Sequence, residues 1–395
     1  MSTTLRNAIA RTASVAIVLA GLLAGCSTKE EHATMYADEL QGLKEKYAPD
    51  GRLAVFEVKV MSEGLSIVVK GEVDNPDAKR DVLELVRKGT GKEPVDSIMV
   101  LPDTSLGTRN VGIVTVSVGN ARREPEHSAE LVTQFLMGMT VKILKQHRGW
   151  LYIQGPDQYL GWIDDDAIAV TDAKGVKEWV AAPKVIMTGY FGVVRQKAGK
   201  DALPVTDVVA GNLLRRIGAS GSWIQVGLPD GRKGYVETSL VSQYHTWKEK
   251  THATPDGVER TAKLFLGVPY LWGGTSAKGF DCSGFTKTVY LLNGVDLYRD
   301  ADEQAREGDA VNPGNDFEDL RKGDLLFFGR KPRGNRPERI THVGIYLGDR
   351  EFIHCSGMVR MNSLNPKASD YDAGRFNSFV RARRIIGASQ LKEVR

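Results

Sequence analysis

Cys282 stands where a thiol could become a nucleophile. It follows Asp281 in the run Asp281-Cys282-Ser283-Gly284-Phe285, and the apolar spacing of Phe285, Val289 and Leu292, stopped by Asn293-Gly294, predicts a helix beginning at or near the cysteine. A free thiol titrates near about 8.5, and the unpaired amides and dipole of a helix start favour its anion. A thiolate also needs a base that pairs with it and later protonates the leaving amine. His342 can be that base. It opens His342-Val343-Gly344-Ile345-Tyr346-Leu347, whose alternation puts Val343, Ile345 and Leu347 in a core and His342 on the other face, where Gly344 leaves room for a substrate or a helix. A second strand from Glu351 to Cys355 follows a Gly348-Asp349 turn, which sets His354 roughly opposite His342 on the same face. A second imidazole there can hold the first in the required tautomer.

Other chemistries fit these residues less well. A zinc site from Cys282, His342, His354 and Cys355 lacks a close ligand pair, and alternation sends His354 and Cys355 to opposite faces, so Cys355 reads as core. A Cys282–Cys355 bridge would leave the local pattern around both strands unexplained. Taken singly, Cys282 reads equally as an apolar filler and His342 as a core histidine. Together they describe covalent catalysis with no metal or cofactor.

The elements that must position these groups lie in the last third of the chain, residues 255–386. Upstream, the chain changes texture several times. Residues 35–101 read as a helix (35–47), two strands (53–60 and 65–73), a helix (77–88) and a strand (97–101), with Asn75-Pro76 starting the second helix and Gly89 and Gly91 stopping it. From 111–172 and again from 183–242, short apolar strands recur with Gly, Pro and Asp punctuation, which argues for two small all-β barrels. The blocks echo one another: Gly149-Trp150-Leu151-Tyr152-Ile153 then Gly161-Trp162-Ile163, and Ser222-Trp223-Ile224-Gln225-Val226 then Gly234-Tyr235-Val236. Trp150 and Trp223 read as packing residues. The polar stretch from Tyr244 to Pro255 reads as a linker with His245 and His252 in solvent.

At 395 residues with 42% apolar content the chain can bury several cores, and a formal net charge of +4 without a dense basic run excludes a nucleic-acid partner. Residues 1–25 carry Arg6 and Arg11 before a short apolar stretch, the layout of a secretory signal and too short to span a membrane comfortably.

Five motifs in order, Pro269-Tyr270-Leu271-Trp272-Gly273-Gly274, Asp281-Cys282-Ser283-Gly284-Phe285, Arg299-Asp300-Ala301-Asp302-Glu303-Gln304, Lys322-Gly323-Asp324-Leu325-Leu326-Phe327-Phe328 and His342-Val343-Gly344-Ile345-Tyr346, resemble the NlpC-type cell-wall cysteine peptidases. The resemblance implies an α+β chain: a papain-like catalytic domain preceded by two small all-β SH3-like barrels and a small α/β N-terminal domain. The latter resembles the domain named after OsmY and nodulation proteins. It also implies cleavage between D-glutamate, through its γ-carboxyl, and a diamino acid in peptidoglycan stem peptides, with Cys282 as nucleophile, His342 as base, His354 as third member and the Cys282 amide in the oxyanion site. Two barrels ahead of the peptidase resemble a subgroup that acts on stem peptides with a free N-terminal L-Ala. A free ammonium needs a carboxylate and a wall against longer chains. Asp281 is the expected anchor, with Tyr270, Trp272, Ser283 and Asp300 as pocket residues and Tyr159 and Glu124 as the first barrel's contributions. Ala301 departs from relatives that carry a hydroxyl there.

Leu23-Ala24-Gly25-Cys26 resembles a bacterial lipobox, which implies lipidation of Cys26, a tether over 26–34 and a monomer anchored in the cell envelope. With Ser27 after the cysteine, that place is the outer membrane, facing periplasm or surface, in a Gram-negative host. Two other functions remain at this level: a wall-binding lipoprotein with little or no hydrolase activity, and a thiol enzyme acting on a lipid or protein amide.

Overall fold

The structure, a computed structural model, describes residues 36–388; the signal segment, Cys26 and the tether to residue 34 lie outside the described residues. The chain divides into two units, one of residues up to 51 with 55–100 and one of residues 52–54 with 101 onward.

In the first unit, α1 (Ala37–Tyr47) precedes the hairpin β1 (Phe56–Glu63) and β2 (Ser66–Val73), α2 (Pro76–Thr90) and β3 (Val95–Val100). β1 pairs antiparallel and β3 parallel with β2, as a helical crossover requires. Asn75 caps α2 through the Asp77 amide with Pro76 behind it, Gly91 in the left-handed region ends it, and Ala78, Val82 and Val86 are its buried stripe.

The second unit opens with the short segment 52–54, of which the alternation of the sequence places Leu53 and Ala54 in the first strand. It is instead captured by the barrel and peptidase residues described below, and the strand begins at Phe56.

The first barrel is a seven-stranded sheet: β4 (Val111–Val114), β5 (Val118–Arg122), β6 (Leu131–Leu136), β7 (Thr140–His147), β8 (Trp150–Gln154), β9 (Leu160–Asp164) and β10 (Ile168–Thr171), in the order β10-β4-β7-β8-β9-β5-β6. A helix that periodicity did not announce, α3 (Ala173–Ala181), leads to the second. There β11 (Lys184–Met187), β12 (Phe191–Arg195), β13 (Pro204–Val209), β14 (Leu213–Ser220), β15 (Trp223–Gly227), β16 (Lys233–Glu237) and β17 (Val241–Gln243) close a second seven-stranded sheet. The repeated motifs fall on β8–β9 and β15–β16, and Trp150 and Trp223 are both buried. The stretch read as a linker is helical over α4 (Tyr244–Lys250), because Trp247 finds a buried place that its polar neighbours hide in the sequence.

The remainder is α5 (Pro255–Leu264), the small hairpin β18 (Thr275–Ser276) and β19 (Gly279–Phe280), α6 (Cys282–Leu291), α7 (Ala301–Gln304), β20 (Asp309–Val311), β21 (Leu325–Arg330), β22 (Arg339–Gly348), β23 (Glu351–Ser356), β24 (Met358–Ser363), α8 (Ala373–Ser378) and β25 (Phe379–Arg384). Its six-stranded antiparallel sheet has the order β20-β25-β21-β22-β23-β24. α6 lies on this sheet through Phe285 and Val289, which join Val343, Ile345 and Ile353 in one core. That packing sets the helix start against the strands carrying the histidines.

Candidate active site

α6 begins at Cys282 with Asp281 as its cap, the carboxylate accepting from the Gly284 amide at 2.7 Å. Gly284 is required by closeness: a Cβ there would lie 2.0 Å from the carbonyl oxygen of Gly274. The Pro269–Gly274 loop is thereby pressed onto the helix start, where the Asp281 amide donates to Gly274 and the Gly273 amide to Asp281 Oδ2.

The thiol is buried and meets the backbone N–H groups of Val343 and Ser283, both of which favour its anion. Burial and the neighbouring Asp281 charge outweigh them and push Cys282 up to about 11. The helix start expected at Cys282 is in place, and its pull toward the anion is opposed by burial and by Asp281. His342 is held well below its ordinary value by burial first, and then by repulsion from Arg375, His354 and Arg360. Burial therefore works against the charged form of both groups, the thiolate and the imidazolium.

A chain of hydrogen bonds decides which nitrogen of His342 carries the hydrogen. Asn362 Nδ2 donates to the Asp370 carbonyl at 3.0 Å, so its Oδ1 faces His354 Nε2, also at 3.0 Å. His354 Nε2 carries the hydrogen, His354 Nδ1 accepts, and His342 Nε2 donates to it at 2.8 Å. His342 Nδ1 is left with the lone pair of a base. Asn362 was not foreseen. It lies on β24, opposite Phe352, and nothing in the local alternation marks it as chemical.

The two histidines are offset rather than opposed. Ile345 pairs with Ile353, which puts Gly344 across from His354, and a Cβ on Gly344 would lie 3.2 Å from His354 Cβ. The room over Gly344 is thus for His354, reaching diagonally to His342.

Asp281 is beside the nucleophile, but both of its oxygens are taken up by the cap, by Gly273 and by the buried guanidinium of Arg299, whose Nη1 also binds Ser283 Oγ at 3.1 Å. Burial alone would lower Arg299, and Asp281 more than restores it above its ordinary value. Asp300 is more open, a quarter exposed, and its Oδ2 accepts from Tyr159 Oη at 2.9 Å. Tyr159, on the loop between β8 and β9, is held in its phenol form by burial and Asp300. Tyr270 is near enough for the Cys282 charge to add to burial in raising its phenol. Trp272 is exposed, and its Nε1 donates to Glu130 at 2.8 Å. Glu124 and Glu130 both lie between β5 and β6; Glu124 is exposed beside Arg123, and Glu130 is the one that takes the Trp272 indole hydrogen.

Cys355 is buried with Sγ donating to the Phe280 carbonyl, and both cysteines are free. Among the described residues the three ligand-bearing groups that come together are Asp164, Asp165 and Asp166, with none of the cysteines or histidines of the site.

The model of the NlpC/P60 family matches residues 267–376, and that of the bacterial dipeptidyl-peptidase SH3 domain matches 121–168. Dipeptidyl-peptidase 6 of Lysinibacillus sphaericus is 31% identical over 264 residues, spanning 64% of this chain and 91% of that protein. The chain belongs to the NlpC/P60 family. It is a cysteine peptidase with the α+β fold of that family and a bacterial SH3 domain ahead of it. The γ-D-glutamyl-L-lysine dipeptidyl-peptidase of Bacillus cereus is 28% identical over 266 residues, 65% of this chain and 76% of that one. The crystal structure of an NlpC/P60 family protein from Bacillus cereus superposes with a TM-score of 0.60 at 25% identity, covering 69% of this chain and 99% of that one.

Proposed function

We propose that this peptidase hydrolyses the γ-D-glutamyl–diamino acid bond of peptidoglycan stem peptides that begin with a free L-Ala, in cell-wall turnover or recycling. The observation that carries the reading is the Asp300–Tyr159 pair, in which an acidic group of the peptidase domain and a barrel phenol meet next to Arg299, the partner of the residue that precedes the nucleophile. A peptide whose ammonium rests on Asp300 places its second bond toward Cys282. His342 Nδ1 then takes the thiol proton, Sγ attacks the γ-carbonyl, and the Cys282 amide stabilises the oxyanion. The imidazolium returns its proton to the leaving amine, and water, deprotonated by the same nitrogen, releases the L-Ala-D-Glu dipeptide. The relatives named γ-D-glutamyl-L-lysine dipeptidyl-peptidase support this substrate class. Mass spectrometry of L-Ala-γ-D-Glu-diamino acid digests is expected to show that dipeptide with the wild type and none with C282A. Equal release by both would overturn the reading.

The same reading assigns Cys26 as a lipid anchor after a 25-residue signal, a tether over 26–34, domains over 35–101, 111–172, 183–242 and 255–386, and a monomer in the cell envelope. The lipobox-like run before Cys26 supports the anchor. Against a wall-binding protein without hydrolase activity stands the completed hydrogen-bond chain from Asn362 to His342.

A further inference from the structure

The segment 52–54 departs from its neighbours in sequence to join the second unit, and its contacts converge on one place. The carbonyl of Arg52 accepts from the Leu160 amide at 2.8 Å and that of Leu53 from Gln154 Nε2 at 2.7 Å. Gln154 and Leu160 bracket the loop that carries Tyr159, so the segment is strapped across that loop. The Arg52 guanidinium forks onto Asp302, with Nη1 and Nη2 at 2.9 and 3.0 Å from its two oxygens. Its Nη1 also lies 2.6 Å from Asp300 Oδ2, the oxygen that takes the Tyr159 hydroxyl.

A single exposed ion pair would mean little. Here a planar fork is shared between two carboxylates, about a third of the side chain remains exposed, and the carbonyls of residues 52 and 53 are both pinned. Residue 52 lies outside both stretches that match the family models. It is also far from Asp300 in sequence, 248 residues away.

We propose that Arg52 is a specificity-determining residue that closes the amine end of the cleft. The inference rests on the free-amine substrate reading above. An ammonium shares Asp300 with the guanidinium and adds only three small hydrogens. An acylated or extended nitrogen brings a carbonyl and further chain into the space Arg52 and Tyr159 enclose, loses the charge that Asp300 attracts, and must break the contacts of Arg52 to enter. The strap therefore sets the cut two residues from a free end.

The test compares kcat/KM of the full chain on L-Ala-γ-D-Glu-diamino acid peptide and on its N-acetyl form. The wild type is expected to prefer the free amine strongly, and R52A to reduce that preference by about tenfold or more, chiefly through KM of the acetylated peptide. R52K should restore part of it. D302N, which removes one arm of the fork and leaves Asp300 in place, should weaken discrimination in the same direction. If R52A and D302N discriminate as well as the wild type, or lose both substrates in equal measure, the role of Arg52 is overturned while the substrate reading stands. A fall in KM for the free peptide at constant preference would make Arg52 a competing cation, and also overturns it. A wild type that cuts no γ-glutamyl bond overturns the substrate reading itself.

Discussion

The proton on His342 is placed by a carbonyl at the far end of a chain of hydrogen bonds. Asp370 fixes the amide of Asn362, Asn362 fixes the tautomer of His354, and His354 fixes that of His342. N362L removes the acceptor and frees His354 to present a hydrogen to His342. The expected result is a fall in kcat of about 10²-fold with KM little changed, short of the ~10⁴-fold known for a mis-set tautomer in a Ser-His-Asp site. Burial of His354 has a second, thermodynamic effect. Burial, only partly offset by Asn362, lowers it from 6.5 to about 4. Between these values the unfolded chain binds a proton that the folded one refuses, so stability is lost as pH falls through that window. Integrated over the window, the loss reaches about 3 kcal/mol from this group. Melting curves from pH 7 down to 4 should show a steeper fall for the wild type than for H354Q; parallel curves would refute it. Cys282, His342 and His354 were legible in the sequence because type and spacing declare them. Asn362 and Glu130 were not, since an amide and a carboxylate on a strand or loop have many innocent uses.

Elements carry these groups only as precisely as their backbones meet. The start of α6 and the Pro269–Gly274 loop touch with no side chain between them, and this is why Gly284 follows Ser283. G284A forces a Cβ to 2.0 Å from a backbone oxygen. Its expected cost is at least about 2 kcal/mol, with kcat falling together with the melting temperature, since the helix or the loop must retreat. A full-activity variant with an unshifted melt would show that the contact yields freely. The periodic elements, α2, α6, β22 and β23, could be read from the chain because their apolar spacing agrees with their packing. The register between β22 and β23 could be read only to within the diagonal, because the turn is irregular between Tyr346 and Gly348. α4 and the segment 52–54 escaped for opposite reasons. The first has one buried tryptophan in a polar run, and the second alternates like a strand but is claimed by partners far away in sequence.

Across the second unit, the first barrel is part of the cleft rather than an appendage. Gln134 of β6 is the joint: its Oε1 accepts from the Thr275 amide at 2.9 Å and from Ser276 Oγ at 3.0 Å, and its Nε2 donates to Asn120. Thr133 binds Arg299 from the same strand. Q134A leaves a buried amide hydrogen without an acceptor and is expected to cost about 1–3 kcal/mol, read by denaturant melts, with a rise in KM as the barrel loosens from Asp300. Unchanged KM at lowered stability would separate the joint from the cleft. The all-β repeats were visible as composition and punctuation, but no one-dimensional pattern tells which barrel edge faces the peptidase.

The order of these parts along the chain has a consequence for synthesis. Arg52 and the barrel emerge first, then Cys282, and only afterwards His342, His354 and Asn362. A nascent or truncated chain therefore carries its substrate fence before its thiol, and its thiol before anything able to take up a proton. Its thiol has no base to take up a proton until the last strands of the sheet are made.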